Sequence, residues 1–168
     1  MEKHTAFISV GSNLGNKLLN CQNGIAALER SGASIVKDRS KFYKTEPVDY
    51  KNQDWFINGV VKIVTTLDPF QLLSELKAIE DYAGRSNDTR RFGPRILDLD
   101  IVIYEDIVIK SSMLIVPHPK MHKRRFVLEP FCDIDPKIIH PVFKKDIQQM
   151  LAGLEDSEQK VVLFRCDY

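Results

Sequence analysis

The chain has 168 residues, with 24 Lys plus Arg against 23 Asp plus Glu and a net charge of +1. Apolar residues make up 43% and charged residues 28%, a globular balance that excludes a disordered chain. So even a charge argues against a general nucleic-acid binder or a membrane-surface protein. The cysteines, Cys21, Cys132 and Cys166, are widely spaced and form no C-x-x-C pair, as expected of free thiols in a reducing compartment. No apolar signal segment follows Met1, so a cytoplasmic location is expected.

Thr5–Val10 reads as a short buried strand, and Gly11-Ser12-Asn13 turns the chain into a helix. Leu14, Leu18, Cys21, Ile25 and Leu28 form one apolar stripe at helical spacing, with Gly32 as a stop. Ser34–Lys44 is expected to be a strand, Thr45–Asp54 a loop, and Phe56–Thr66 a strand rich in Val and Ile. Asp68, Pro69 and Gln71 make a strong helix start, with Leu72, Leu76 and Ile79 lining the helix and Gly84 ending it. Gly84–Arg95 carries Arg85, Arg90, Arg91 and Arg95 without apolar periodicity and reads as a mobile basic loop. Ile96–Tyr104 is expected as a buried strand, with Ile107–Ile109 returning as a hairpin. Prolines concentrate in Pro117–Pro141, which predicts loops and short helices there. Asp146–Leu154 reads as a short helix and Val161–Arg165 as a last strand.

The order β-α-β-β-α-β is the split βαβ pattern. It predicts an α+β, ferredoxin-like fold, with a mainly antiparallel sheet covered by helices and a C-terminal extension. No repeat or linker divides the chain, so 1–168 is expected to be a single domain.

Asp98-Leu99-Asp100 is the sharpest chemical feature. Strand alternation puts both carboxylates on one face, about 6–7 Å apart. Leu97, Leu99, Ile101 and Ile103 are expected on the opposite, buried face. Like charges so close repel, and a divalent cation with phosphate oxygens and water relieves that repulsion. Two such carboxylates suit a two-metal phosphoryl-transfer site, although D-x-D alone equally describes a solvated pair at a strand end. The adjacent arginines match phosphate oxygens bidentately, or simply form a solvated basic loop. Gly11-Ser12-Asn13 offers either anion-binding amides or only a turn with Ser12 or Asn13 as helix cap. His118, held between Pro117 and Pro119, is a fixed imidazole suited to a phosphate, or else a surface residue. Phe92 in a polar loop fits a flat ligand, and Asn58 in an apolar strand needs partners that an amide-edged heterocycle would supply.

The run Arg91-Phe-Gly-Pro-Arg95-Ile-Leu-Asp98-Leu-Asp100-Ile-Val closely resembles the signature of the 6-hydroxymethyl-7,8-dihydropterin pyrophosphokinase family of folate biosynthesis. Gly11-Ser-Asn-Leu14, Thr45-Glu-Pro47, Phe56-Ile-Asn58, Val116-Pro-His118 and Arg124-Arg-Phe126 match in the family's order, across nearly the whole chain. The resemblance implies Mg²⁺-dependent transfer of pyrophosphate from ATP to the pterin hydroxymethyl group, releasing AMP. It implies that Asp98 and Asp100 bind two Mg²⁺ and that Arg85 and Arg95 contact the ATP phosphates. His118 and Arg124 would help hold ATP, backbone groups near Ile101 and Ile115 would read adenine, and Lys77 and Glu80 would face the nucleotide. The pterin would stack between Phe56 and Phe126 with Phe92 closing over it, and Asn58, Thr45, Pro47 and Val48 would line its amide edge. Small-molecule partners only, a monomer, and no fused second folate domain are the further expectations. Met113 and Pro119 depart from the family pattern, which can carry Arg and Tyr there.

Two rivals differ in class. Nucleotidyltransferases also pair a Gly-Ser turn with D-x-D, but at short spacing, whereas Ser12 and Asp98 are far apart. A non-catalytic RNA module of the same fold would show an RNP-like aromatic motif and has no use for Asp98 and Asp100.

Overall fold

The computed structural model describes residues 1–84, 94–155 and 159–165. The elements in chain order are β1 (His4–Ser12), α1 (Lys17–Ala27), β2 (Ser34–Arg39), β3 (Tyr43–Thr45), β4 (Phe56–Thr65), α2 (Pro69–Tyr82) and β5 (Asp98–Tyr104). Then come β6 (Ile109–Lys110), β7 (Ile115–Val116), α3 (Arg125–Ile134), α4 (Ile147–Ala152) and β8 (Val161–Leu163). The main sheet runs β5-β1-β4-β3-β8, with β2 also on β4, and its pairings are antiparallel. This is the ferredoxin-like α+β arrangement, with β8 as its C-terminal addition.

Strand alternation sorts the side chains into two layers. Ala6, Ile8 and Val10 of β1 and Ile57, Val61 and Ile63 of β4 pack with Cys21, Ile25, Leu72 and Leu76 of α1 and α2. Phe7, Val60 and Val102 point the other way, onto Val127, Leu128 and Phe131 of α3 and Ile147 of α4. The rings of Phe7 and Phe131 stack with centroids 4.5 Å apart.

α2 starts as its sequence dictates. Asp68 accepts the N–H groups of Phe70 and Gln71 at 2.9 Å each, and Gln71 accepts that of Asp68 at 3.0 Å. α1 starts later than expected, capped by Asn16, whose Oδ1 accepts the Leu19 N–H at 3.2 Å. Ser12 belongs to β1 and Asn13 is committed to long-range bonds, so neither caps the helix and Leu14 is left exposed.

Three other expectations change. The strand expected over Ser34–Lys44 is two strands, because Ser40 takes a ladder position with its side chain. Its N–H donates to the Val60 carbonyl at 2.9 Å, and its Oγ accepts the Val60 N–H at 2.8 Å. A register shift between Phe7 and Ile8, opposite Ile103 and Ile101, moves Ile103 into the α3 layer, away from Leu97, Leu99 and Ile101. Ile109 pairs forward with Val116 instead of returning onto β5. The proline-rich stretch holds loops and short helices as expected, among them α3 of 10 residues, with Pro130 inside it. Among the described residues, no helix is long and apolar enough to cross a membrane.

Candidate active site

The α3–α4 layer covers only part of its sheet face. Beyond it, the ends of β5, β1 and β4 floor a cavity of about 270 Å³. One cross-strand row forms the floor: Asp98 lies opposite Gly11, and Gly11 opposite Asn58. Asp100 stands opposite Ser9 in the next row. These residues share the face of Val60 and Val102, so polar groups replace apolar ones where the helical cover stops.

Gly11 is required by the crowding of that row. A Cβ at Gly11 would run into Asn58 Oδ1. Asn58 is held by a bond from its Nδ2 to Thr45 Oγ1 at 2.6 Å, and Thr45 itself is buried. An amide and a hydroxyl thus stand fixed at one end of the floor, with two carboxylates at the other.

β5 is the end strand of the sheet, so its outer backbone groups need partners from elsewhere. Glu80 of α2 supplies one: its Oε1 accepts the Leu99 N–H at 2.8 Å. The His118 N–H supplies another, donating to the Val102 carbonyl at 2.9 Å. Glu80 is buried between α2 and β5. It therefore pins the backbone between the two aspartates and does not line the cavity.

The walls come from loops and the start of α3. Asn13, 1% exposed, accepts the Arg95 N–H with Oδ1 at 2.7 Å. Its Nδ2 donates to Gln53 Oε1 at 2.8 Å and to the Asp54 carbonyl at 3.1 Å. One buried amide therefore ties the segment carrying Arg95 to the Thr45–Asp54 loop. Opposite, the Arg124 guanidinium lies 5.3 Å from the Phe126 ring centroid and 3.9 Å from Asp49 Oδ2. His118 accepts the Lys120 N–H on Nδ1 at 3.1 Å, so its proton sits on Nε2. Burial, with Arg124 and Lys120 nearby, pushes His118 down to about 4, so at neutral pH it is an uncharged N–H donor.

Of the residues singled out from sequence, Thr45, Pro47, Val48, Phe56, Asn58, Arg95, Asp98, Asp100, His118, Arg124 and Phe126 all line this cavity. Lys77 does not: it is exposed on α2. Ile101 is buried in the core, and Ile115 lines a separate groove of about 160 Å³ that also touches His118. Arg85 and Phe92, with Arg90 and Arg91, lie outside the described residues. Sequence reasoning missed Ser9, Glu46, Asp49, Tyr50 and Gln53 as lining residues. Alternation from Gly11 would have found Ser9, whereas the loop residues carry no periodic signal. Nothing local separates Asn13 from a helix cap, because its partners Gln53 and Arg95 are 40 and 82 residues away.

Among the described residues, no group of three or more His, Cys, Asp or Glu stands ready to enclose a metal. Two carboxylates in an open cavity suit instead a hard cation completed by water and phosphate oxygen.

A model of the 7,8-dihydro-6-hydroxymethylpterin-pyrophosphokinase family matches residues 7–136. The chain belongs to that family. The pyrophosphokinase of Bacillus subtilis is 41% identical over 129 residues, covering 77% of this chain and 77% of its own. The folic acid synthesis protein fol1 of Schizosaccharomyces pombe is 40% identical over 149 residues, 89% of this chain. This chain spans only 20% of fol1, which is much longer. In fold it resembles a Plasmodium falciparum HPPK-DHPS crystallised with pterin and p-hydroxybenzoate, with a TM-score of 0.72 at 15% identity. That likeness covers 90% of this chain and 43% of the other.

Proposed function

We propose that the chain transfers the pyrophosphoryl group of ATP to the hydroxymethyl group of 6-hydroxymethyl-7,8-dihydropterin, releasing AMP. One observation carries the proposal beyond family membership. A single cavity gathers a carboxylate pair, Arg95, Arg124 and His118 together with Phe56, Phe126 and Asn58. The first set suits a polyphosphate and the second a flat, amide-edged ring.

Asp98 and Asp100 are the residues that would hold Mg²⁺, for which two ions are proposed. Bound there, Mg²⁺ would neutralise phosphate charge as a Lewis acid. Glu80 keeps the strand between the carboxylates fixed. Arg95 takes phosphate oxygens from the segment that Asn13 holds. His118 donates its Nε2 proton without needing a charge, and Arg124 exchanges Asp49 for the nucleotide. Phe56 and Phe126 sandwich the pterin, while Asn58, Thr45, Pro47 and Val48 face its amide edge. Phe92 and Arg85 are assigned to closure over the ring and phosphates, and the backbones of Ile101 and Ile115 to adenine, by family resemblance alone. Pyrophosphoryl transfer needs alignment of the hydroxyl with the β-phosphorus and charge stabilisation, and these groups supply both.

The test is product analysis with Mg²⁺, ATP and the pterin. AMP and pterin diphosphate in equal amounts are expected. ADP with a pterin monophosphate, or no pterin-dependent ATP consumption by folded protein, would overturn the proposal.

A further inference from the structure

The family match ends at residue 136, so the C-terminal strand lies outside it. We propose that the segment Gln159–Val161, leading into this strand, is a strap that sets the cavity-facing start of α3, with Gln159 as the positioning residue.

Gln159 Oε1 accepts the Arg125 N–H at 2.9 Å, and its Nε2 donates to the Lys123 carbonyl at 2.8 Å. One side-chain amide therefore grips the backbone on both sides of Arg124. The Arg125 N–H opens α3, where a helix has no internal acceptor, and the cap residue Arg124 offers none from its side chain. Gln159 fills that need from across the chain. The two α3-start residues that line the cavity, Arg124 and Phe126, flank the gripped Arg125. Gln159 itself does not line the cavity.

The next residues hold the opposite wall. The Lys160 carbonyl accepts the Glu46 N–H at 3.0 Å, and Val161 pairs with Thr45. Glu46 and Thr45 line the cavity beside Pro47 and Val48. Gln159–Val161 therefore joins both walls across which a pterin would lie. Loosening the strap at Gln159 frees Arg124 and Phe126 together, so nucleotide and pterin affinity fall together.

The inference rests on the functional reading above, and the experiment separates the two. Equilibrium dissociation constants for the pterin and for a non-hydrolysable ATP analogue with Mg²⁺ would be measured on wild type, Gln159→Met and Gln159→Glu, alongside thermal melts. Gln159→Met keeps the length and loses both bonds, and Gln159→Glu keeps the acceptor for Arg125. Gln159→Met is expected to weaken both ligands about tenfold, with Gln159→Glu in between and melting temperatures little changed. Wild-type affinities in Gln159→Met overturn the strap. So does equal weakening in both variants that merely follows a fall in melting temperature. Should Gln159→Met fail to fold, unchanged affinities in Gln159→Glu overturn it instead. A wild type that binds neither ligand overturns the functional reading itself.

Discussion

The two faces of the sheet use the same strands for opposite ends. On the α1–α2 face, Ile8, Val10, Ile57, Leu97 and Leu99 continue one apolar cluster across β1, β4 and β5. On the α3–α4 face, Phe7, Val60 and Val102 are apolar only under the helices, and the same strands then turn to Ser9, Gly11, Asn58, Asp98 and Asp100. The difference teaches where function can reside in such a fold. A complete layer stabilises, and an incomplete one leaves polar strand ends rigidly placed but open to ligand.

The sharpest way to break that comparison is to remove a carboxylate from the open end. Asp98→Ala or Asp100→Ala is expected to lower turnover by about 10³-fold or more, while melting temperature stays near wild type. A large loss of stability instead would mean that the pair belongs to the structural half. The converse change lies on the closed face. Leu76→Ala, at a fully buried position, should cost about 2–5 kcal/mol of unfolding free energy and leave kcat/KM per folded molecule unchanged. Denaturant titration with active-site-normalised kinetics reads both quantities.

The closed face was largely legible in the sequence. The Asp68 cap and the Leu72–Leu76 spacing are local signals, and both survived folding. The D-x-D pair on one strand face was legible for the same reason. What stayed hidden depends on residues far apart in the chain. Asn13 looked like a helix cap because Gln53 and Arg95 are not its neighbours in sequence. The prolines of Pro117–Pro141 predict loops and short helices, which the stretch holds, but they do not locate α3, whose Val127, Leu128 and Phe131 find their partners on β1, β4 and β5. The family resemblance turns Glu80 to the nucleotide, whereas the structure holds it inward on the Leu99 N–H at the outer edge of β5. The bulge near Ile103 leaves no trace in the pattern of Ile and Val.

A smaller change sharpens the boundary between the two halves of the open face. Gly11→Ala forces a methyl against Asn58 Oδ1 and should weaken pterin binding by about 1–2 kcal/mol, read by fluorescence titration. Nucleotide affinity should move less, because the crowding falls at the Asn58 end of the row. The pH response is the mildest probe. Burial and neighbouring cations lower His118 from 6.5 to about 4, so the unfolded chain takes up the proton first. Stability is therefore fully present above about 6.5 and is lost as pH falls towards about 4, by about 3 kcal/mol from this group. Burial lowers His122 and His140 in the same direction. Unfolding titrations of wild type and His118→Gln between those limits should converge at acid pH, and parallel curves would remove His118 from the account.

The most direct measurement is diffraction from crystals of the chain with Mg²⁺, a non-hydrolysable ATP analogue and the pterin. The expected result is metal density at Asp98 and Asp100, phosphates reaching Arg95 and Arg124, and the pterin between Phe56 and Phe126 above Asn58. Ligands bound away from the open end of the α3–α4 face, with that end filled only by water, would contradict the division of labour between the two faces.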